Sequence, residues 1–202
     1  VDYIELSGKD VERDSLILAN MAAESWGRPD AVVFVARGAF KIGHTMAQHF
    51  QVPLLEIQAS RKSGKIKTLI SPFLFLIPAG IKKKLRSAEV GSDYHKRNAD
   101  RDVRFNRAAW DELPNINRIL LTDDSVDTGN TVLAAKKALQ EFFPGAEIKI
   151  AALNYFSFSQ IRPDFFLRTD TMLNGPWSRD SEENKQFAKE YLHAKKEGTL
   201  WI

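Results

Sequence analysis

The segment Ile119-Leu-Leu-Thr-Asp-Asp-Ser-Val-Asp-Thr-Gly-Asn-Thr131 narrows the folds open to this chain more than any other feature. Its apolar start, Ile119 to Thr122, reads as a buried strand that delivers two adjacent carboxylates, Asp123 and Asp124, to its end. Asp123 to Gly129 reads as a turn, and Asn130 to Phe143 as a helix stopped by Pro144-Gly145. The first turn of a helix exposes unpaired N–H groups and so favours a phosphate. Thr128 and Thr131 add hydroxyl donors there, and Gly129 lets the backbone come close. The carboxylates repel a phosphate but suit sugar hydroxyls or a Mg²⁺ ion a few ångströms away. A ligand with a phosphate at one end and a diol and metal in its middle is a ribose 5-phosphate.

The rest of the chain places this segment in an α/β fold. Asp10 to Ala23 has helical spacing, with Val11, Leu16, Ile17, Leu18 and Met21 on one side and Glu12, Arg13 and Asp14 opposite. After Pro29-Asp30, the apolar run Ala31 to Ala36 reads as a buried strand. Arg37 to Gly43 reads as a loop, His44 to Phe50 as a helix and Val52 to Ile57 as a short strand. Ile148 to Phe156 forms a further strand, and Glu182 to Lys196 a charged helix. Strands alternating with helices predict a parallel sheet covered on both faces, whose ligands sit at the carboxyl ends of the strands. Two loops occupy that place, Arg37 to Gly43 and Asp123 to Thr131. With 202 residues, 44% of them hydrophobic, a single domain spanning 1–202 is expected.

The Ile119–Thr131 segment resembles the phosphoribosyl-pyrophosphate (PRPP) signature of the type I phosphoribosyltransferases at all thirteen positions. Ala36-Arg37-Gly38-Ala39, with Lys41 close by, resembles the family's pyrophosphate loop, which commonly reads Ser-Arg-Gly-Gly and often contains a cis peptide. The stretch Arg162-Pro-Asp-Phe-Phe166 through Pro176-Trp177 resembles the acceptor hood of the bacterial hypoxanthine/xanthine branch. The resemblance covers roughly 30–57 and 118–178 and implies a Rossmann-like parallel-sheet fold with a C-terminal hood, 157–180, and a large insert, 58–117. It further implies PRPP as donor and Mg²⁺ as cofactor, the metal held by Asp123 and Asp124 through water or the ribose hydroxyls. The 5-phosphate would lie on Asp127, Thr128, Gly129, Asn130 and Thr131, and the pyrophosphate on Arg37, Gly38, Ala39 and Lys41. Asp123 and Asp124 would fix the sugar. Asp127, nearest the anomeric carbon, reads either as the general base toward the acceptor or as an N-cap carboxylate. The family's flexible loop falls in the insert, where Arg101, Arg104 and Arg107 are the candidates. A homodimer is expected.

Two departures bear on the acceptor, whose pocket would include Phe156, Met172 and Leu173. Purine enzymes of the branch place a Lys where Phe156 stands and a stacking ring where Met172 stands. Either the correspondence slips by a residue or two, or the acceptor is not a 6-oxopurine. The insert also exceeds a simple loop. Between Arg61 and Arg86 it carries eight basic residues and no acid, so a chain of net charge +3 has −5 on the rest. Phe73 to Ile77 lies between its basic clusters. That pattern suits an anionic membrane face or a lipid-linked acceptor, or else packing onto the sheet or a dimer partner.

A branch of the family that passes phosphoribose to a lipid-linked glycan hydroxyl in bacterial surface-polysaccharide synthesis fits both departures. A partner phosphatase would then leave ribofuranose. Two other readings remain, a nucleobase-salvage enzyme with an altered pocket and a non-catalytic PRPP-binding regulator. The absence of Cys excludes thiol catalysis and zinc fingers, and no signal-peptide pattern is seen at the N-terminus. A cytoplasmic location is expected, at most peripheral at the inner membrane face through 61–86. The apolar run Leu69–Ile81 is too short to span a bilayer. His44, His49, His95 and His193 show no ligand spacing, Trp26 and Trp110 read as packing, and the basic segment lacks the aromatics of a nucleic-acid binder.

Overall fold

Six strands and the helices that cover them place the two predicted loops side by side. The computed structural model describes residues 2–61, 101–113 and 115–196. Most of the basic segment 61–86, with its expected membrane or acceptor contact, lies outside the described residues. In chain order the elements are β1 (Asp2–Glu5), α1 (Gly8–Ser25), β2 (Ala31–Val35), α2 (Phe40–Phe50), β3 (Leu54–Arg61), β4 (Arg101–Arg104) and α3 (Arg107–Asp111). They continue with β5 (Arg118–Val126), α4 (Asn130–Phe142), β6 (Glu147–Tyr155), β7 (Phe165–Thr169), β8 (Thr171–Asn174) and α5 (Asn184–Lys196).

The main sheet has the order β4-β3-β2-β5-β6-β7. All its pairs are parallel except β3–β4. The central strands are apolar on both sides because both faces are covered. On β2, Val32 and Phe34 face a core built with α1, α2 and α5, while Ala31, Val33 and Val35 face one built with α3 and α4. This is the mixed α/β fold with a mostly parallel sheet that the alternation predicts.

The structure corrects several local expectations. Helix α1 starts earlier than Asp10, because Ser7 and Asp10 form a capping box: Asp10 N–H donates to Ser7 Oγ (3.2 Å) and Ser7 N–H to Asp10 Oδ2 (3.0 Å). Its buried face is Val11, Leu18, Ala19 and Ala22, together with Asp14, while Leu16, Ile17 and Met21 are exposed. Asp14 is tolerated inside because Arg168 on β7 (2.5 Å) and Arg13 (3.0 Å) pair with it. Helix α2 begins at Phe40, so Lys41 and Gly43 are helical rather than loop. β3 runs on to Arg61, taking the first four residues assigned to the insert, and β4 returns antiparallel beside it.

The sequence pattern gives no warning of β1, β7 or β8. Edge strand β7 joins the main sheet through β6, while β8 pairs with β1 in a small parallel sheet. The stretch 157–180, expected as a hood, thus contains two strands, β7 paired with β6 and β8 paired with β1.

Candidate active site

Strands β2 and β5 are parallel neighbours, so the loops that leave their carboxyl ends open on the same edge. β5 continues through the acid pair to Val126, which leaves only Asp127 to Gly129 for the turn. The two loops touch. A Cβ added to Gly38 would lie 2.8 Å from Asp124 Oδ1. Glycine is needed there because a side chain would displace the carboxylate. The Ala36–Arg37 peptide is cis, as the resemblance implied.

The Asp127–Gly129 turn borders a polar hollow of about 230 Å³ lined by Asp123, Ser125, Asp127, Thr128, Gly129 and Thr131, with Arg101 on its wall. Gly129 is the N-cap of α4 with φ +83°, a conformation that favours glycine. Its space is also closed by the following loop: an added Cβ would meet Ile161 Cγ2 at 2.7 Å and Ser159 Oγ at 2.9 Å. Gln160 braces the turn twice, its N–H donating to Thr128 O (3.2 Å) and its Nε2 to Asn130 Oδ1 (3.1 Å). Because Gly129 occupies the cap and α4 has no side-chain cap bond, Asp127 is not the N-cap carboxylate. Its Oδ1 instead accepts from Ser125 Oγ (3.1 Å).

Asp123 is buried and Asp124 half-buried. Burial and mutual repulsion push the Asp123 carboxyl well above the ordinary aspartate range. Burial likewise pushes Asp124 up to about 6, with the Asp127 charge adding to the rise. Two carboxyls driven toward the neutral form are a pair short of positive charge. Among the described residues no three acidic or His side chains converge as a ready metal cage. A Mg²⁺ ion fits this donor set in the way it commonly binds, through one or two carboxylates with water and ligand oxygens completing the shell.

The raised carboxyls have a consequence for stability. The folded protein keeps protons that the unfolded chain releases near pH 3.8, so stability falls as pH rises from that value through about 6. Asp124→Asn removes this cost. The variant should melt a few degrees above the native protein at pH 7, and the gap should close near pH 3.5. Thermal denaturation at both pH values checks this, and a variant less stable at pH 7 would contradict it.

The other sequence-predicted residues divide. Arg37 is exposed at the loop, and its guanidinium acts on the phenol of Tyr191. Ala39 is buried, and its N–H is spent on Val35 O (3.3 Å), so it has no donor for a pyrophosphate. Lys41, expected on the pyrophosphate, has its amine beside the start of α1. An added Cβ on Gly8, at the start of α1, would lie 3.4 Å from its Nζ. Of the three arginines expected in a flexible loop, only Arg101 reaches the hollow. Arg104 pairs with Asp102 (2.6 Å) and Arg107 lies over the Phe142 ring (5.5 Å); both face a neighbouring groove.

Phe156 is buried at 3% exposure and stacked on Phe158 rather than open to an acceptor. Met172 and Leu173 lie on β8 opposite Tyr3 and Ile4, and Leu173 packs onto the core. Sequence reasoning missed Ser125, Asn154 and the buried Glu56, which accepts from Tyr191 Oη (2.8 Å) and Lys195 Nζ (3.0 Å) behind the Arg37 loop. Asn154 had a signal, as a lone amide in an apolar strand. Glu56 had none, because its partners lie more than 130 residues away.

Residues 15–165 match the family model for the phosphoribosyl transferase domain. No curated protein matches the chain. Among solved structures it is similar to the xanthine-guanine-hypoxanthine phosphoribosyltransferase of Helicobacter pylori, with TM-score 0.60 and 20% identity over 91% of this chain and 99% of that one. It is also similar to a purine phosphoribosyltransferase from Pyrococcus horikoshii, with TM-score 0.59 and 21% identity over 90% and 97%. A hypothetical protein from Neisseria gonorrhoeae with bound ppGpp gives TM-score 0.58 and 14% identity over 94% and 97%. Among the described residues, no helix is long and apolar enough to cross a membrane.

Proposed function

The chain belongs to the phosphoribosyl transferase domain family, and from that premise we propose that it moves the 5-phosphoribosyl group of PRPP to an acceptor with release of pyrophosphate. The observation that carries this reading is the contact between Gly38 of the Arg37 loop and the buried acid pair, beside a polar hollow closed by a Thr/Gly turn. The 5-phosphate sits on Thr128, Gly129 and Thr131, with Arg101 supplying charge from the wall. Asp123 and Asp124 take the ribose hydroxyls. They would also hold Mg²⁺, which offsets the charge of the diphosphate when bound.

The bond from the anomeric carbon to pyrophosphate breaks and leaves an oxocarbenium-like centre. Arg37 meets the leaving group at the loop. The carboxylates of β5 stabilise the positive centre across the ring, where prearranged charge is most effective. Asp127 accepts the acceptor's proton as the new bond to the anomeric carbon forms.

For the acceptor, a nucleobase is the reading best supported, because two of the similar structures are purine phosphoribosyltransferases that match nearly end to end. A glycan hydroxyl, with a partner phosphatase downstream, is the second reading. It is favoured by the buried Phe156 and by Met172, which offer neither an amine nor a stacking ring.

Pyrophosphate release from PRPP and Mg²⁺ is the test, with adenine, guanine, hypoxanthine, xanthine and a lipid-linked glycan extract as acceptors. Release is expected with at least one nucleobase. Release with the glycan extract alone selects the second reading. Calorimetric binding of PRPP without release from any acceptor leaves a PRPP-binding regulator, and no binding at all ends the transferase reading.

A further inference from the structure

We propose that Asn154 is a positioning residue that sets the orientation of Asp127 through Ser125 and ties it to the hood. The proposal rests on the reading in which Asp127 takes the acceptor's proton. Asn154 is fully buried on β6, preceded by the apolar Ala151, Ala152 and Leu153, with Ser125 opposite it on β5 and Arg168 opposite it on β7. Burying an amide is costly unless both of its ends are bonded. Here they are. Asn154 Oδ1 accepts from the Thr171 N–H (3.1 Å), and Nδ2 donates to Ser125 Oγ (3.0 Å).

The direction of this chain of bonds is not ambiguous. A backbone N–H only donates, so the amide oxygen must face Thr171 and the amide nitrogen must face Ser125. The Ser125 hydroxyl has one proton. It accepts from Asn154, and its own proton goes to Asp127 Oδ1 (3.1 Å). One oxygen of the Asp127 carboxylate is thereby held at a set angle, although the residue sits on an exposed turn. Thr171 opens β8, the hood strand paired with β1, so a shift of the hood reaches Asp127 through three hydrogen bonds. Asn154→Leu keeps the branched shape of the side chain but enlarges it and leaves the Thr171 N–H without this acceptor, so the Ser125 variants, which spare that bond, are read beside it.

The test follows the carboxyl carbon resonance of Asp127 in ¹³C-labelled native protein and in Asn154→Leu, Ser125→Ala and Ser125→Thr. The resonance should move in the first two variants and stay near its native position in Ser125→Thr, which keeps the hydroxyl. Kinetically, Asn154→Leu should lower kcat for pyrophosphate release roughly tenfold, as for a reacting group slightly misplaced, with KM for PRPP unchanged. Added to Asp127→Asn, it should cost less than a further twofold, because the two act through one group. An Asp127 resonance indifferent to both Asn154→Leu and Ser125→Ala, or fully multiplicative losses in the double variant, would overturn the proposal. Should Asn154→Leu not fold, Ser125→Ala carries the same comparison. A native protein that releases no pyrophosphate sinks the transfer reading, while the resonance still decides the positioning one.

Discussion

Replacing Asp123 and Asp124 together with Asn should lower the rate of pyrophosphate release by about 10²–10³-fold or more while the protein remains folded. Prearranged charge facing a developing cation contributes on that scale when it acts in a site partly shielded from water. Both carboxyls stand in the last half of β5, with Asp123 buried and Asp124 against Gly38. Asn keeps their shape, removes the charge and exchanges one acceptor oxygen for an NH2 donor. Burial holds both carboxyls above the ordinary aspartate range, so their ionisation costs the fold, and the double variant should melt no lower than the native protein at pH 7. Activity and thermal denaturation measured on one preparation decide the matter. Loss of both would make the pair structural, and turnover within tenfold of native would remove it from the mechanism. The combination expected, a stabler and nearly inactive protein, is the signature of a site whose chemistry is held against the preference of the fold.

Trp110→Ala should cost about 3–5 kcal/mol, the range for truncating a large buried aromatic. Trp110 is 1% exposed, stacks on Phe105 (4.3 Å) and Phe143 (5.9 Å), and meets the edge of Phe142 (5.7 Å). It sits on α3, five residues long, which is too short to be helical without tertiary support. The ring therefore holds the segment that follows β4 against α4, and β4 carries Arg101 to the polar hollow at the Thr128–Gly129 turn. For a protein whose total stability is of the order of 5–15 kcal/mol, the melting temperature should fall by roughly 10 °C. Trp110→Phe should recover much of the loss. A fall of under about 1 kcal/mol in Trp110→Ala would mean that the aromatic cluster repacks around the gap.

The parts of this protein that its sequence determined unaided are those whose physics is local. The run from Ile119 to Thr131 carries its own strand, acids, turn and helix start, because burial, charge and helix-end chemistry are decided by neighbours in the chain. Ala31 to Val35 is equally legible, since a continuous apolar run has one use in a parallel sheet. The start of α1 was local too, a Ser7–Asp10 contact three residues long, but the periodicity began the helix at Asp10 and passed it over. Periodicity was less reliable for that helix. It assigned Leu16, Ile17 and Met21 to the core and Asp14 to solvent, but Arg168 on β7 reverses the assignment from 154 residues away.

The same distance problem governs the site. Only the tertiary structure decided that Gly38 touches Asp124, that Arg101 reaches the polar hollow while Lys41 lies by Gly8, and that Phe156 is closed off. It alone joined Thr171, Asn154, Ser125 and Asp127. Strand β8 could not be read locally either, because four residues without a clear alternation become a strand only when Asp2 to Glu5 lie beside them. Side-chain type is written in the chain, but which groups share a hydrogen bond depends on which strands the sheet sets next to one another.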